Sequence, residues 1–159
     1  MFKGFSDQAR IWIYGFDKKL SVNDLKIVKK YLDRFLTNWK SHKEEVKGAY
    51  EILDNRFVIL TAESSVSGCS IDSSVSIFRK LELEYQLNAL NQDLVFFKED
   101  TEILSLNRET FQQWVNEDRI NQYTIVYDLT PTMLGVLRAG QWELPFSRSW
   151  HSQVFKKSA

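Results

Sequence analysis

Asp54-Asn55-Arg56-Phe57-Val58-Ile59-Leu60-Thr61-Ala62 is the stretch on which the fold turns. Asp54 and Asn55 belong to the residue types that tolerate left-handed backbone, so they suit a tight hairpin turn. Phe57 to Leu60 is an unbroken apolar run, as a deeply buried strand requires. Turn and run together predict a hairpin, with strands over 46–53 and 56–62. The earlier strand carries Lys47, Gly48 and Glu51, and it reads as a sheet edge.

Upstream, Ala9 to Tyr14 alternates β-branched and aromatic residues and predicts the first strand. Gly15 to Lys19 is a loop. Ser21 is suited to cap the helix that follows, with Asp24 three residues on. Leu25, Val28, Leu32, Phe35 and Trp39 recur at helical spacing as one buried stripe. Downstream, a serine-rich loop over 64–70 leads into a second helix with Ile71, Val75, Phe78, Leu81 and Tyr85 on one face. Leu94 to Phe97 is a fourth strand.

The order is β-α-β-β-α-β, which predicts an α+β fold with a ferredoxin-like core over residues 1–100. The first and third strands are expected side by side in the middle, running parallel, with both helix starts at one end of the sheet. Residues 101–159 form a C-terminal appendage packed on that core. Within it, Thr101 to Leu106 extends the sheet and Asn107 caps a short helix bearing Phe111, Trp114 and Val115. Tyr123 to Asp128 is a strand, and Thr130-Pro131 starts a helix that Gly140 ends. The tail from Trp142 to His151 is too aromatic for a loose end.

The composition bounds the function. A chain of 159 residues, 43% hydrophobic, builds one substantial core. Lys+Arg and Asp+Glu both number 21, so nothing in the net charge draws the chain to nucleic acid or an acidic membrane. One cysteine makes no internal disulfide, which suits a reducing compartment. The N-terminus lacks the apolar segment of a secretory signal, so a cytoplasmic location is expected. No metal-ligand spacing and no G-x-S-x-G elbow occur. No cofactor is expected.

With both helix starts at one end, unpaired N–H groups and two helix dipoles would face a shared rim, a recipe for holding an anion. Lys18 and Lys19 would add charge there, and Ser67, Gly68, Cys69 and Ser70 would add donors and close backbone approach; Arg56 or His151 could join them. Cys69 at a helix start would be acidified and reactive. Asp72 opposes that shift, and cysteine often serves as a small buried hydrophobe. A nucleophile needs a base; His42 falls at the opposite end, which leaves His151. On the sheet, Trp12, Tyr14, Phe57 and Ile59 are expected to share the face away from the helices. Such aromatics suit single-stranded nucleic acid, but strand 3 lacks the glycines and paired aromatics of the RNA-binding signature. The simpler expectation is that the appendage covers this face with its tryptophans. Arg138, Arg148, His151, Lys156 and Lys157 make the C-terminal segment locally basic.

The chain resembles a family of small uncharacterised bacterial proteins often labelled "ABC transporter ATPase". The resemblance rests on Arg10-Ile11-Trp12-Ile13-Tyr14, Asn55-Arg56-Phe57, Ser67-Gly68-Cys69-Ser70-Ile71-Asp72 and Ser149-Trp150-His151. It implies no catalytic residues. An ATPase of that class needs G-x-x-x-x-G-K-[ST] to cradle phosphates, and no such segment occurs, so ATPase activity is not expected. The leading expectation is a non-catalytic binding or regulatory module, its ligand a small anion or the acidic group of a protein partner. The alternatives are a cysteine-dependent enzyme or redox sensor using Cys69 and His151, and a single-strand nucleic-acid binder. No membrane partner is expected.

Overall fold

The computed structural model describes residues 1–41, 43–63 and 68–158, with residues 68–72 described as helix backbone alone. The hairpin forms where the sequence places it. β4 (Gly48–Leu53) and β5 (Phe57–Ala62) pair through Leu53↔Phe57. Asp54 and Asn55 take φ of 53° and 51°, the left-handed pair of a hairpin turn whose twist matches its strands. Every residue of β5 is buried.

β1 (Arg10–Gly15) lies on the other side of β5, giving a sheet of order β1-β5-β4. Here the structure corrects an expectation. The two strands are neighbours but run antiparallel, with Tyr14↔Val58 and Trp12↔Leu60. Chain geometry explains the sense. α1 (Val22–Asn38) carries the chain back, so β4 runs the same way as β1, and the tight hairpin then reverses β5 against both. Two-residue strands β2 (Lys40–Ser41) and β3 (Glu44–Glu45) decorate the crossover.

After α2 (Gly68–Tyr85) the chain leaves this sheet. β6 (Leu94–Glu99) pairs instead with β7 (Glu102–Asn107) and β8 (Ile125–Tyr127), and β8 pairs with β9 (Glu143–Pro145). The order is β7-β6-β8-β9, antiparallel throughout. The four-stranded ferredoxin-like core expected over residues 1–100 therefore does not form among the described strands. The change of sheet falls between α2 and β6. The coarse class, α+β, is as expected, and both main sheets are antiparallel.

The molecule stacks as helices, sheet, sheet, helices. α1 and α2 cover one face of the first sheet around Tyr14, Val58, Leu60, Val28, Leu32 and Phe78. The opposite face packs Ile11, Phe57 and Ile59 against Phe96, Tyr127 and Trp142 of the second sheet and its flanks. The far face of that sheet, with Val95, Phe97 and Val126, is covered by α3 (Arg108–Asn116) and the tail at Phe146 and Phe155. The tail itself is a 3-10 turn over Phe146–Arg148 and α5 (His151–Val154). Strand alternation sorts Phe96 inward from Val95 and Phe97. Phe57 meets Phe96, Tyr127 and Trp142 at ring-centroid distances of 5.2, 5.0 and 5.3 Å, each pair adding about 0.5–1.5 kcal/mol beyond area burial.

The aromatic platform is corrected by the same register. Trp12 and Tyr14 face the helices, while Ile11 and Ile13 face the second sheet. Directly paired residues share a face, so Tyr14 follows its partner Val58. Phe57 and Ile59, on the other face, are fully buried. No exposed aromatic sheet face remains among these residues. Trp142 takes part in covering it, whereas Trp114 and Trp150 pack on the far side of the second sheet.

A strap joins the sheets. Residues 128–134 run from β8 to the outer edge of β1, where Ile11 N–H donates to Thr132 O at 3.0 Å and Leu134 N–H to Ala9 O at 2.9 Å. The helix expected at Thr130-Pro131 therefore starts later, as α4 (Leu134–Arg138). Residues 132–134 use their backbone on the sheet edge.

Candidate functional site: a cleft on the edge of β1

In an antiparallel ladder the N–H and C=O of one residue point to the same side and reverse at each step. Ile11 donates away from β5, into the strap. Ile13 and Gly15 must therefore also point away from β5. Beyond Ile11 the strap diverges: Thr130, which the register would set opposite Ile13, gives its N–H to Asp128 Oδ1 at 2.9 Å instead. Among the described residues, no partner meets the main-chain groups of Ile13 or Gly15. Gly15 is nevertheless buried.

These groups line a cleft. Its inner part, about 430 Å³, is lined by Ile13, Gly15, Leu94, Phe96 and Leu129, together with Asn91, Gln92, Thr130, Arg108 and Trp150. Its outer part, about 610 Å³, is lined by Ile11 to Tyr14, by Arg79 and Glu82 of α2, and by Pro131 and Thr132 of the strap. The two parts share Ile13, Tyr14, Leu90, Gln92, Leu129 and Thr130. The volumes lie in the range of small-ligand sites.

Charge enters at the ends. Arg108, the first residue of α3 after the capping Asn107, is exposed. Its guanidinium carbon sits 5.9 Å from the Trp150 ring centroid and 5.8 Å from that of Phe155. No carboxylate of a described residue forms an ion pair with it. Trp150 is itself held by its Nε1–H donating to Asp128 at 3.0 Å. Arg79 and Glu82 mark the other end.

The residues singled out from the sequence do not converge. The β1–β5 sense puts the starts of α1 and α2 at opposite ends of the first sheet. The helices lie antiparallel: Tyr31 O–H donates to Glu84 near the end of α2, and Phe35 and Asn38 share a depression with Ser73 and Ser76 near its start. The α1 start already holds an anion of its own. Asp24 accepts from Ser21 N–H at 2.9 Å and Ser21 Oγ accepts from Asp24 N–H. The bond from Ser21 holds the Asp24 carboxyl below its ordinary range, helped by Lys18 at 3.9 Å. Lys19 lies 3.9 Å from Glu102. Gly68, Cys69 and Ser70 open α2 at the far end, with their side chains outside the described residues; Ser67 and His42 lie outside them altogether.

Lys19 and Arg56 do share a polar pocket of about 500 Å³ with Asp54, Lys98, Glu102 and Glu143. Arg56 is not free to hold a ligand there. Its Nε donates to Phe16 O at 3.0 Å, its Nη1 to Ile103 O at 2.8 Å, and its Nη2 to Asp17 O and Ser105 Oγ, both at 2.8 Å. It fastens the loop after β1 to β7. Asp54 and Glu143, with burial the larger cause, hold the Tyr127 phenol well above its ordinary range. Three basic side chains (Lys19, Arg56, Lys98) and three acidic ones (Asp54, Glu102, Glu143) line this pocket, so it offers no surplus charge to an anion.

His151 is 2% exposed. Its Nδ1 lies 2.6 Å from Ser149 Oγ, and its ring stacks on Trp150 at 3.9 Å. Burial lowers its pKa to about 4, with Asp128 opposing and Arg108 reinforcing the shift. It is a neutral packing residue of the second layer at pH 7. Among the described residues no cluster of His, Cys, Asp and Glu suits a metal ion, and no helix is long and apolar enough to cross a membrane.

The cleft was not legible beforehand. Gly15 reads as loop, and Gln92, Arg108 and Thr130 carry no motif. The one local signal was glycine directly after an alternating strand, which marks close approach of another group. No protein-family model, no curated protein and no solved structure matches the chain.

Proposed function

We propose that the chain is a non-catalytic binding module whose ligand occupies the cleft along β1, between the two sheets. One observation carries the reading: Gly15 is buried, yet its N–H and C=O face the cleft with no partner among the described residues. A buried polar group left unpaired costs about 1–3 kcal/mol, so native backbone is almost always satisfied by protein, water or ligand. Apolar walls and a hydrogen-bonding strand edge suit a ligand with an apolar body and an amide-like donor–acceptor face. The anion site expected at two helix starts is not carried forward, because those starts do not meet. Nothing favours the Cys69–His151 pair, since His151 is buried against Ser149.

The test is an amide-resolved NMR titration of the full chain with a library of small apolar amides and carboxylates. Binders are expected to shift the Ile13 and Gly15 amides. Gln92→Trp, a change at an exposed rim position, is expected to abolish those shifts while the spectrum stays folded. If no compound moves these amides, the cleft is not a binding site.

A further inference from the structure

We propose that the occupant is the C-terminal end of an extended peptide, paired by its main chain to Ile13 and Gly15 and held by its carboxylate at Arg108. The inference rests on the cleft reading above and names the ligand class.

Three observations support it. The edge of β1 already accepts an extended segment: Thr132 and Leu134 of the strap hydrogen-bond to Ile11 and Ala9. The next outward-facing residues, Ile13 and Gly15, repeat the same donor–acceptor pattern two positions and four positions further on. An added strand presents its own amides at that two-residue repeat, so one short peptide meets both sites, as in other recognition by strand addition.

Charge sets the end of the peptide. Arg108 lines the inner part of the cleft, without a carboxylate partner among the described residues, and its guanidinium rests over Trp150. A guanidinium pairs with a carboxylate through two parallel hydrogen bonds. Leu94, Phe96 and Leu129 beside it form an apolar wall for the last side chain. Upstream residues then pass through the outer part, between Arg79 and Glu82 of α2 and the strap. The inner part borders Ile13 to Gly15 and the outer part borders Ile11 to Tyr14. The peptide therefore runs in the same direction as β1.

The experiment selects binders of the full chain from a random heptapeptide library displayed with free C-termini. One selected sequence is then made as free acid and as C-terminal amide. Anisotropy titrations are expected to give binding of the acid and a loss of about tenfold or more for the amide. Arg108→Gln is expected to erase the difference between acid and amide, and Gln92→Trp to abolish binding. Equal affinity for acid and amide would overturn the carboxylate assignment. If no peptide is selected while small amides still shift Ile13 and Gly15, the peptide inference falls and the cleft reading stands. Peptide binding that survives Gln92→Trp removes both.

Discussion

The ring of Phe96 fills the space that a side chain on Gly15 would need: a Cβ built there lies 2.5 Å from Phe96 Cζ and 2.8 Å from Cε2. This is where β6, departing for the second sheet, passes closest to the end of β1. The absence of a side chain at Gly15 lets the two sheets close and leaves the Gly15 backbone on the cleft.

Gly15→Ala is expected to destabilise the fold by about 1–3 kcal/mol, because the added methyl overpacks a filled core. Urea denaturation measures the loss. Phe96→Leu in the same chain should recover part of it. A neutral Gly15→Ala would mean that the sheets do not meet at this point.

Arg56→Met removes the donors for three backbone carbonyls and a hydroxyl at once. A loss of about 2–4 kcal/mol is expected, because the buried Phe16 carbonyl and the half-buried Ile103 carbonyl lose this donor, while the Asp17 carbonyl keeps Ser105 Oγ at 3.1 Å. Arg56→Lys should not restore it, since an ammonium cannot reproduce the planar fork. Full stability in the lysine variant would show that charge, and not the fork, is what matters.

His151 makes stability depend on acidity. Its pKa in the folded chain is about 4, below the unfolded value of about 6.5. The unfolded state therefore binds its proton more readily. The contribution of the neutral ring is complete above pH 6.5 and is lost as the pH falls from 6.5 towards 4, about 3 kcal/mol in all. Denaturation midpoints across that interval should fall for the native chain. His151→Gln should flatten the fall; an unchanged slope would place its cause elsewhere.

Ser21→Ala breaks the reciprocal cap of α1 and should cost about 1 kcal/mol. The Asp24 carboxyl should titrate higher in the variant, because the Ser21 hydroxyl and cap geometry help keep it ionised. NMR titration of Asp24 reads this directly. A cap of no consequence would leave both numbers where they were.

Local chemistry made several elements readable in advance. The Asp54-Asn55 turn, the Ser21 cap and the Asn107 cap each need only neighbours within about four residues, and each stands where expected. The buried run of β5 was readable because it is apolar at every central position. The faces of β1 were not. Trp12 and Ile13 alternate whichever way the strand is turned, and nothing within it says which set meets the helices. Pro131 misled in the same manner, since a proline suits a helix start and also suits the end of a strand pairing.

The strands β1, β4, β5 and β6, the helices α1, α2 and α3, the hairpin and both caps follow from side chains acting over a few residues, and for these the order of amino acids is sufficient. The departure of β6 to a second sheet, the burial of Arg56 and His151 and the opening beside Ile13 depend on contacts between segments far apart in the chain. They depend on which strand edge each segment finds once the layers close, and no local preference encodes that choice. The cleft belongs wholly to this second group: it exists because the strap leaves β1 at Pro131 and because Gly15 lets Phe96 approach.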